Sequence, residues 1–353
     1  MNALVLHGIG DARYESISKP KVANGSVLVR IAFCGVCGSD IPRVFVKGTY
    51  TFPTVCGHEF AGTVVEVGGG VHDIAIGDRV AIFPLLWCGH CEACERGQYV
   101  QCADYDYLGS RSDGGFAEYV AAPRKNIIRV PDNVSMEEAA MTEPAAVALH
   151  ALRRAGGCSV GDTVAVFGIG PIGLMVAQWA RAMGAARVVV CDIVPEKLEL
   201  ARRLGFTDTV NSRKTNPVEA LNAMTGGAHL CIEAAGVPQT LCQALGAARR
   251  GGRVVLLGNP SADVTLPKDL LSQMMRREIT LFGTWNSEYS ATGSDDDWRA
   301  ALSAMASKTL NLIPLITHRS PLRNGFETLS MMQKQSEFYS KVLIYPETKE
   351  TTE

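Results

Sequence analysis

Four cysteines, Cys88, Cys91, Cys94 and Cys102, fall within one short loop rich in glycine and charged residues. Two residues separate each of the first three and seven separate the last two, so the loop can turn all four thiolates onto a single ion. A closed tetrahedron of sulfurs is the coordination zinc takes when its role is structural, and it leaves no position for a substrate. An iron–sulfur cluster also uses four cysteines, but nothing else in the chain points to an electron-transfer partner. Four exposed thiols with no ion would be prone to oxidation and would serve no packing purpose.

A second set of donors is spread along the chain. Cys37, in Cys37-Gly38-Ser39-Asp40, and His58-Glu59, after Gly57, come from neighbouring segments, and Glu143 stands before Pro144 at the start of a helical pattern. Singly, each has an ordinary reading: a filler cysteine, a hydrogen-bonded core histidine, and a Glu143 that favours a helix N-terminus. Together they offer one thiolate, one imidazole and two carboxylates, enough for three protein ligands and an open position. That is the coordination of a catalytic zinc. A metal with an open position lowers the pKa of a bound alcohol. Ser39, two residues past Cys37, can take the released proton by a hydrogen bond; its other role would be to bond the backbone of its own turn.

A third pattern concerns nucleotide. The apolar, β-branched run Thr163 to Phe167 reads as a buried parallel strand and is followed at once by Gly168-Ile169-Gly170-Pro171-Ile172-Gly173. The three glycines suit a tight strand-to-helix turn, close approach to a pyrophosphate and close helix-on-strand contact. Pro171 fits the first helical turn, and the helix from Ile172 to Met183 would point its free N–H groups at phosphates. A second apolar strand, Arg187 to Cys191, ends on Asp192, 19 residues beyond Gly173. A carboxylate there bonds the adenosine ribose diol and repels a 2′-phosphate, so NAD is expected over NADP. Ile193 and Lys197, just beyond, complete the expected cofactor contacts. A ligand-free glycine turn is the alternative, but strand, helix, second strand and acid all in register argue against it.

The elements that must position these groups fit two domains in 353 residues. Residues 2–7 and 26–34 alternate like strands around the turn Ala23-Asn24-Gly25, and glycine-punctuated strands continue through Gly62 to Val67 and Asp78 to Ile82, an antiparallel β-rich opening. Ser135 and Glu138 form a capping box where helical patterns begin. From Gly161 to about Thr284 strands alternate with helices, as a doubly wound parallel sheet requires. After Trp285 come a helix over 295–307, a strand near Leu315 to His318, a further helix and the strand Lys341 to Tyr345, with an unstructured tail expected over Glu347 to Glu353. Net charge is −2, 20% of residues are charged and no basic block occurs, which leaves no electrostatic case for nucleic acid or a membrane surface. Neither a long apolar span nor a leader pattern is visible, and eleven cysteines without that context point to buried or metal-bound thiols in the cytoplasm.

These motifs, with Asp113-Gly114-Gly115-Phe116-Ala117-Glu118-Tyr119 and Glu143-Pro144, resemble the zinc-dependent medium-chain dehydrogenase/reductases over essentially the whole chain. The resemblance implies an α/β protein: a GroES-like β-rich catalytic domain over residues 1–150, a doubly wound parallel-sheet (Rossmann) NAD-binding domain over 151–287, and a return of 288–353 to the first domain. It implies an active site in the cleft between domains and two zinc ions per subunit. Alcohol dehydrogenases of the family have a second cysteine where this chain has Glu143, and the glutamate is similar to the sorbitol dehydrogenase branch. There zinc holds Glu143 or Glu59, directly or through water, and the choice stays open. Within the branch, Gly38 to Arg43, Tyr107 to Gly115 and Ala234 to Thr240 are most similar to members acting on a hexitol phosphate. This implies NAD-dependent oxidation of a polyol phosphate, galactitol 1-phosphate to tagatose 6-phosphate. An unphosphorylated polyol such as sorbitol, another secondary alcohol, or a non-catalytic dinucleotide sensor are the alternatives.

A phosphate needs compensating charge, and Arg43, Lys47 and Arg111 are the cations nearest in sequence. The branch places an arginine near Asn286 that this chain lacks, which leaves Trp285 and Asn286 as candidate wall residues. Some members carry a relay histidine where this chain has Pro42, so water is the expected exit for the proton. The apolar strand Ile279 to Phe282 would lie at a sheet edge and invite a second copy, as a homodimer or homotetramer.

Overall fold

A computed structural model of the chain describes residues 1–347. The chain divides into two units, one of residues 1–143, 288–306 and 316 onward, the other of residues 144–287 and 307–315. The division falls between Glu143 and Pro144, inside the helix Thr142–Arg154 and ahead of residue 150. Ser307–Leu315 groups with the second unit, although the rest of the C-terminal region groups with the first. Of the tail expected over 347–353, Glu347 is paired with Arg323, and 348–353 lie outside the described residues.

In the first unit the strand Ser26–Gly35 is the hub of a seven-stranded sheet. It pairs antiparallel with Glu59–Val67, with Tyr119–Pro123 and, at its far end, with the last strand Lys341–Tyr345. Its alternating apolar residues Val27, Val29 and Ile31 join Leu6, Phe60, Phe116 and Ile344 in one core. Each such side chain taken fully from water contributes about 1.5–3 kcal/mol. Gly35 stands opposite Glu59 on one neighbour and Leu343 on the other. A Cβ there would sit 2.3 Å from the Glu59 carboxylate, so only glycine leaves that carboxylate its place.

The loop after Phe83 is buttressed by aromatic rings. Trp87 stacks on Tyr99 at 4.2 Å, and Tyr289, from the returning segment, stacks on Phe83 at 4.3 Å with Trp298 edge-on. The Tyr289 hydroxyl donates to the Lys125 carbonyl, and the Lys125 ammonium sits over Trp87. The capping box expected at Ser135 forms, with Glu138 reaching back to the Ser135 N–H, and starts the helix Met136–Ala140.

The second unit holds a six-stranded parallel sheet: Thr163–Phe167, Arg187–Asp192, Thr209–Asn211, Ala228–Glu233, Ala248–Leu256 and Thr280–Gly283. Numbered in that chain order the strands lie 3-2-1-4-5-6, so the direction of winding reverses between the first and the fourth. Ligands of such sheets bind outside the carboxyl ends of the strands at that reversal. Both central strands are apolar because helices cover both faces; Trp179, on the helix Pro171–Ala182, donates its indole N–H to the Ala145 carbonyl at 2.9 Å. The last strand lies at the edge and is largely exposed. Among the described residues no helix is long and apolar enough to cross a membrane.

Candidate metal centres and dinucleotide site

The four loop cysteines bring their sulfurs within 4.8 Å of one another. Cys88 to Cys94 and Cys91 to Cys102 are each 3.9 Å apart. A zinc tetrahedron with bonds of about 2.3 Å has sulfur–sulfur edges of about 3.8 Å, so the cage has the right size. The loop supplies the electrostatics as well. N–H groups of Ala103 and Cys94 bring the Cys91 thiol down to about 6, and that of His90 lowers Cys88. The Cys88 N–H donates to Cys102 at 3.3 Å. Burial pushes Cys94 up to about 12, so only a cation would favour its thiolate.

Cys37, His58 and Glu59 form the second cluster, their donor atoms within 4.8 Å. Cys37 follows the hub strand and the His58-Glu59 pair opens the strand next to it, so sheet pairing brings them together. His58 Nδ1 is buried, lies 3.5 Å from Asp40 Oδ1 and makes no hydrogen bond of normal geometry. A carboxylate behind a metal-bound imidazole is the usual outer partner of such a ligand. Burial opposes charging the imidazole, yet Asp40 and the Cys37 thiolate raise its pKa well above the ordinary value, so protons compete with metal there. Asp40 is fully buried, which would raise its own pKa, but His58 and Arg43 hold it below the usual carboxylate range. It also accepts from the Cys37 N–H at 3.0 Å and from Arg43 at 2.7 Å.

The two glutamates differ. Glu59 is buried and ion-paired with the Lys341 ammonium, which also donates to the Val36 carbonyl at 3.2 Å. Glu143 lies outside the 4.8 Å cluster and accepts a 3.4 Å hydrogen bond from the Tyr107 hydroxyl. Burial pushes Glu143 up to about 7, against the pull of His58 and with the help of Glu59. Ser39 is exposed, and its N–H points at Cys37 Sγ at 3.5 Å. Lys341, Tyr107 and Asp40 are parts of this site to which sequence reasoning gave no role. A lysine opening an otherwise apolar final strand was the one available signal for Lys341.

In the second unit Gly168 has φ +88°, and a Cβ on it would lie 2.6 Å from that of Ala235. The turn thus presses against the loop after the fourth strand. Gly170 caps the helix that starts at Pro171, and Ile172 and Gly173 continue its first turn. Asp192 accepts from the N–H groups of Ile169, Ile193 and Val194 at 2.8–3.0 Å, with Lys197 3.8 Å away. Glu233, also missed, is buried and accepts from the Ala235 and Gly236 N–H groups and the Thr240 hydroxyl, which fixes the loop facing Gly168. A cavity of about 440 Å³ at the same edge is lined by Ser212, Asn216, Pro217, Val218, Gln239 and Gln243. Trp285 is exposed, and Asn286, with φ +55°, follows it in this unit.

Residues 23–132 match the family model of the alcohol dehydrogenase GroES-like domain and residues 171–307 that of the zinc-binding dehydrogenases. The chain is 38% identical over 334 residues to galactitol 1-phosphate 5-dehydrogenase of Escherichia coli (strain K12), covering 94% of this chain and 96% of that one. It is 32% identical over 358 residues to sorbitol dehydrogenase of Bacillus subtilis (strain 168), covering 98% and 97%. A crystal structure of a Sinorhizobium meliloti 1021 zinc-binding dehydrogenase family protein bound to NADP superposes with a TM-score of 0.90 at 32% identity, covering 98% and 99%. The chain belongs to the zinc-dependent medium-chain dehydrogenases, with a GroES-like unit and a Rossmann unit. Within them it is an alcohol or polyol dehydrogenase acting on a small molecule.

Two outcomes follow from this geometry. Cys91→Ser should lower the metal content of purified protein by one zinc per chain and lower its thermal midpoint, read by elemental analysis and calorimetry. Lys341→Met strands the buried Glu59 carboxylate and should cost roughly 3–5 kcal/mol in urea unfolding, while adding Glu59→Gln recovers part of the loss.

Proposed function

We propose that the chain oxidises a secondary hydroxyl of a polyol phosphate with NAD, galactitol 1-phosphate to tagatose 6-phosphate. The observation that carries the reading is the convergence of half-buried Cys37 with buried His58 and Glu59. The 38% identity to galactitol 1-phosphate 5-dehydrogenase over nearly the full length supports the choice of substrate. An ion held by these residues supplies Lewis acidity, which lowers the pKa of the substrate hydroxyl toward neutrality.

The chain's own groups do the rest. Cys37 and His58 hold the ion, and Glu59 and Glu143 are the two carboxylates available to complete or exchange its coordination. Ser39 accepts the hydroxyl proton and hands it to water. The helix N-terminus at Gly170 to Gly173 receives the pyrophosphate, and Asp192, flanked by Ile193 and Lys197, seats the ribose diol and disfavours a 2′-phosphate. The four-cysteine loop holds a second zinc with no part in the chemistry. Eleven unpaired cysteines suit the cytoplasm, and the exposed edge strand with Leu281 suits pairing of subunits as a homodimer or homotetramer.

A second reading, oxidation of an unphosphorylated polyol, is favoured by the 32% identity to sorbitol dehydrogenase. The two separate in a steady-state assay of NADH absorbance with galactitol 1-phosphate, galactitol, sorbitol, threonine and a butanediol. The phosphorylated hexitol should give the highest kcat/KM, with loss on chelation and recovery on adding zinc. Turnover that survives removal of all but one tightly bound zinc, or equal rates with galactitol, overturns the proposal. Asp192→Ala should raise the KM for NAD roughly ten- to a hundredfold, the worth of hydrogen bonds to a charged group, and narrow the preference over NADP.

A further inference from the structure

We infer that Arg111 is the seat of the anionic end of the substrate, an inference that rests on the polyol-phosphate reading above and assigns its phosphate. The three cations near the metal-binding segments stand in different states. Arg43 donates to Asp40 Oδ1 at 2.7 Å, so its charge already answers the buried carboxylate behind His58. Lys47 is exposed at the end of the short turn Arg43–Lys47.

Among the described residues Arg111 has no carboxylate within ion-pair distance. Its guanidinium carbon lies 4.4 Å from the ring centre of Tyr50 and 4.3 Å from that of Tyr105. Its backbone N–H donates to the Tyr107 carbonyl at 2.9 Å, which fixes the root of the side chain. Ring contact with Tyr50 and Tyr105 holds the guanidinium in place without neutralising its charge, and a guanidinium fork matches phosphate oxygens in a bidentate pair.

The placement also suits the chemistry. Tyr105 meets Tyr107 edge-on at 6.4 Å between ring centres, and Tyr107 meets His58 at 5.8 Å while its hydroxyl reaches Glu143. The cation is therefore set back from the metal donors by two tyrosine rings. A hexitol phosphate carries its phosphate several bonds from the secondary hydroxyls, so the two ends need partners that stand apart. A ligand with a small uncharged end would leave Arg111 unmatched.

The test compares kcat/KM for galactitol 1-phosphate and for galactitol in the zinc-loaded enzyme, the Arg111→Gln and Arg111→Lys variants, and Arg43→Gln. Arg111→Gln should lower the ratio of the two by roughly ten- to a hundredfold, mostly through KM for the phosphorylated substrate. Arg111→Lys, which keeps the charge but not the fork, should lower it less, and it stands in should Arg111→Gln fail to fold. Arg43→Gln should depress both substrates and leave the ratio alone. Inorganic phosphate should compete with galactitol in the unaltered enzyme and not in Arg111→Gln. A preference for the phosphorylated substrate that survives in both Arg111 variants overturns the assignment of Arg111 while the polyol-phosphate reading stands. No such preference in the unaltered enzyme overturns that reading, and this inference with it.

Discussion

A carboxylate next to a buried histidine, inside an apolar core, must be neutralised from within the protein. Lys341 does this for Glu59, and much of the first unit is arranged around the pair. The lysine opens the last strand, which the chain lays in the first unit after building the second. The strand adds to the hub at Gly35, the one residue type that leaves room for both side chains. Losing either charge would strand the other in a medium where an unpaired ion costs several kcal/mol, so the pair ties the last strand to the cluster of Cys37, His58 and Glu59.

The same economy of charge runs through the rest of that site. Cys37, Asp40, Glu59 and Glu143 are acidic groups close to one another, and the side-chain cations against them are Lys341 and Arg43, with His58 between. Such a pocket is short of positive charge, which favours a divalent ion. Its two glutamates are unequal. Glu59 is held by an ammonium, and Glu143 is held by a neutral hydroxyl and raised to about 7, so it is the carboxylate freer to change partner.

What could be read from the sequence follows the range of each interaction. The four-cysteine loop and the glycine motif were legible because spacing alone sets their geometry, and the strand from Lys341 to Tyr345 was visible in its apolar run. Cys37 and His58-Glu59 could be grouped by donor type, but their spacing did not show their geometry, since strand pairing brings them together. The partners of those residues were not legible at all: 282 positions separate Lys341 from Glu59, and 36 separate Tyr107 from Glu143. The edge strand Asp11–Ser16 escaped for a related reason, being polar and half exposed, with no alternation to betray it.

The two units achieve order by different means. Around Gly168 the cofactor side is set by backbone: a left-handed turn, a proline-started helix, and carboxylates of Asp192 and Glu233 that each bind two or more N–H groups of neighbouring loops. Backbone donors do not reorient, so the Asp192 carboxylate is held in one position, with Lys197 3.8 Å away. The cluster of Cys37, His58 and Glu59 is set instead by side-chain ion pairs and one hydroxyl. The sequence encodes the first arrangement through local contacts and the second through contacts far apart in the chain.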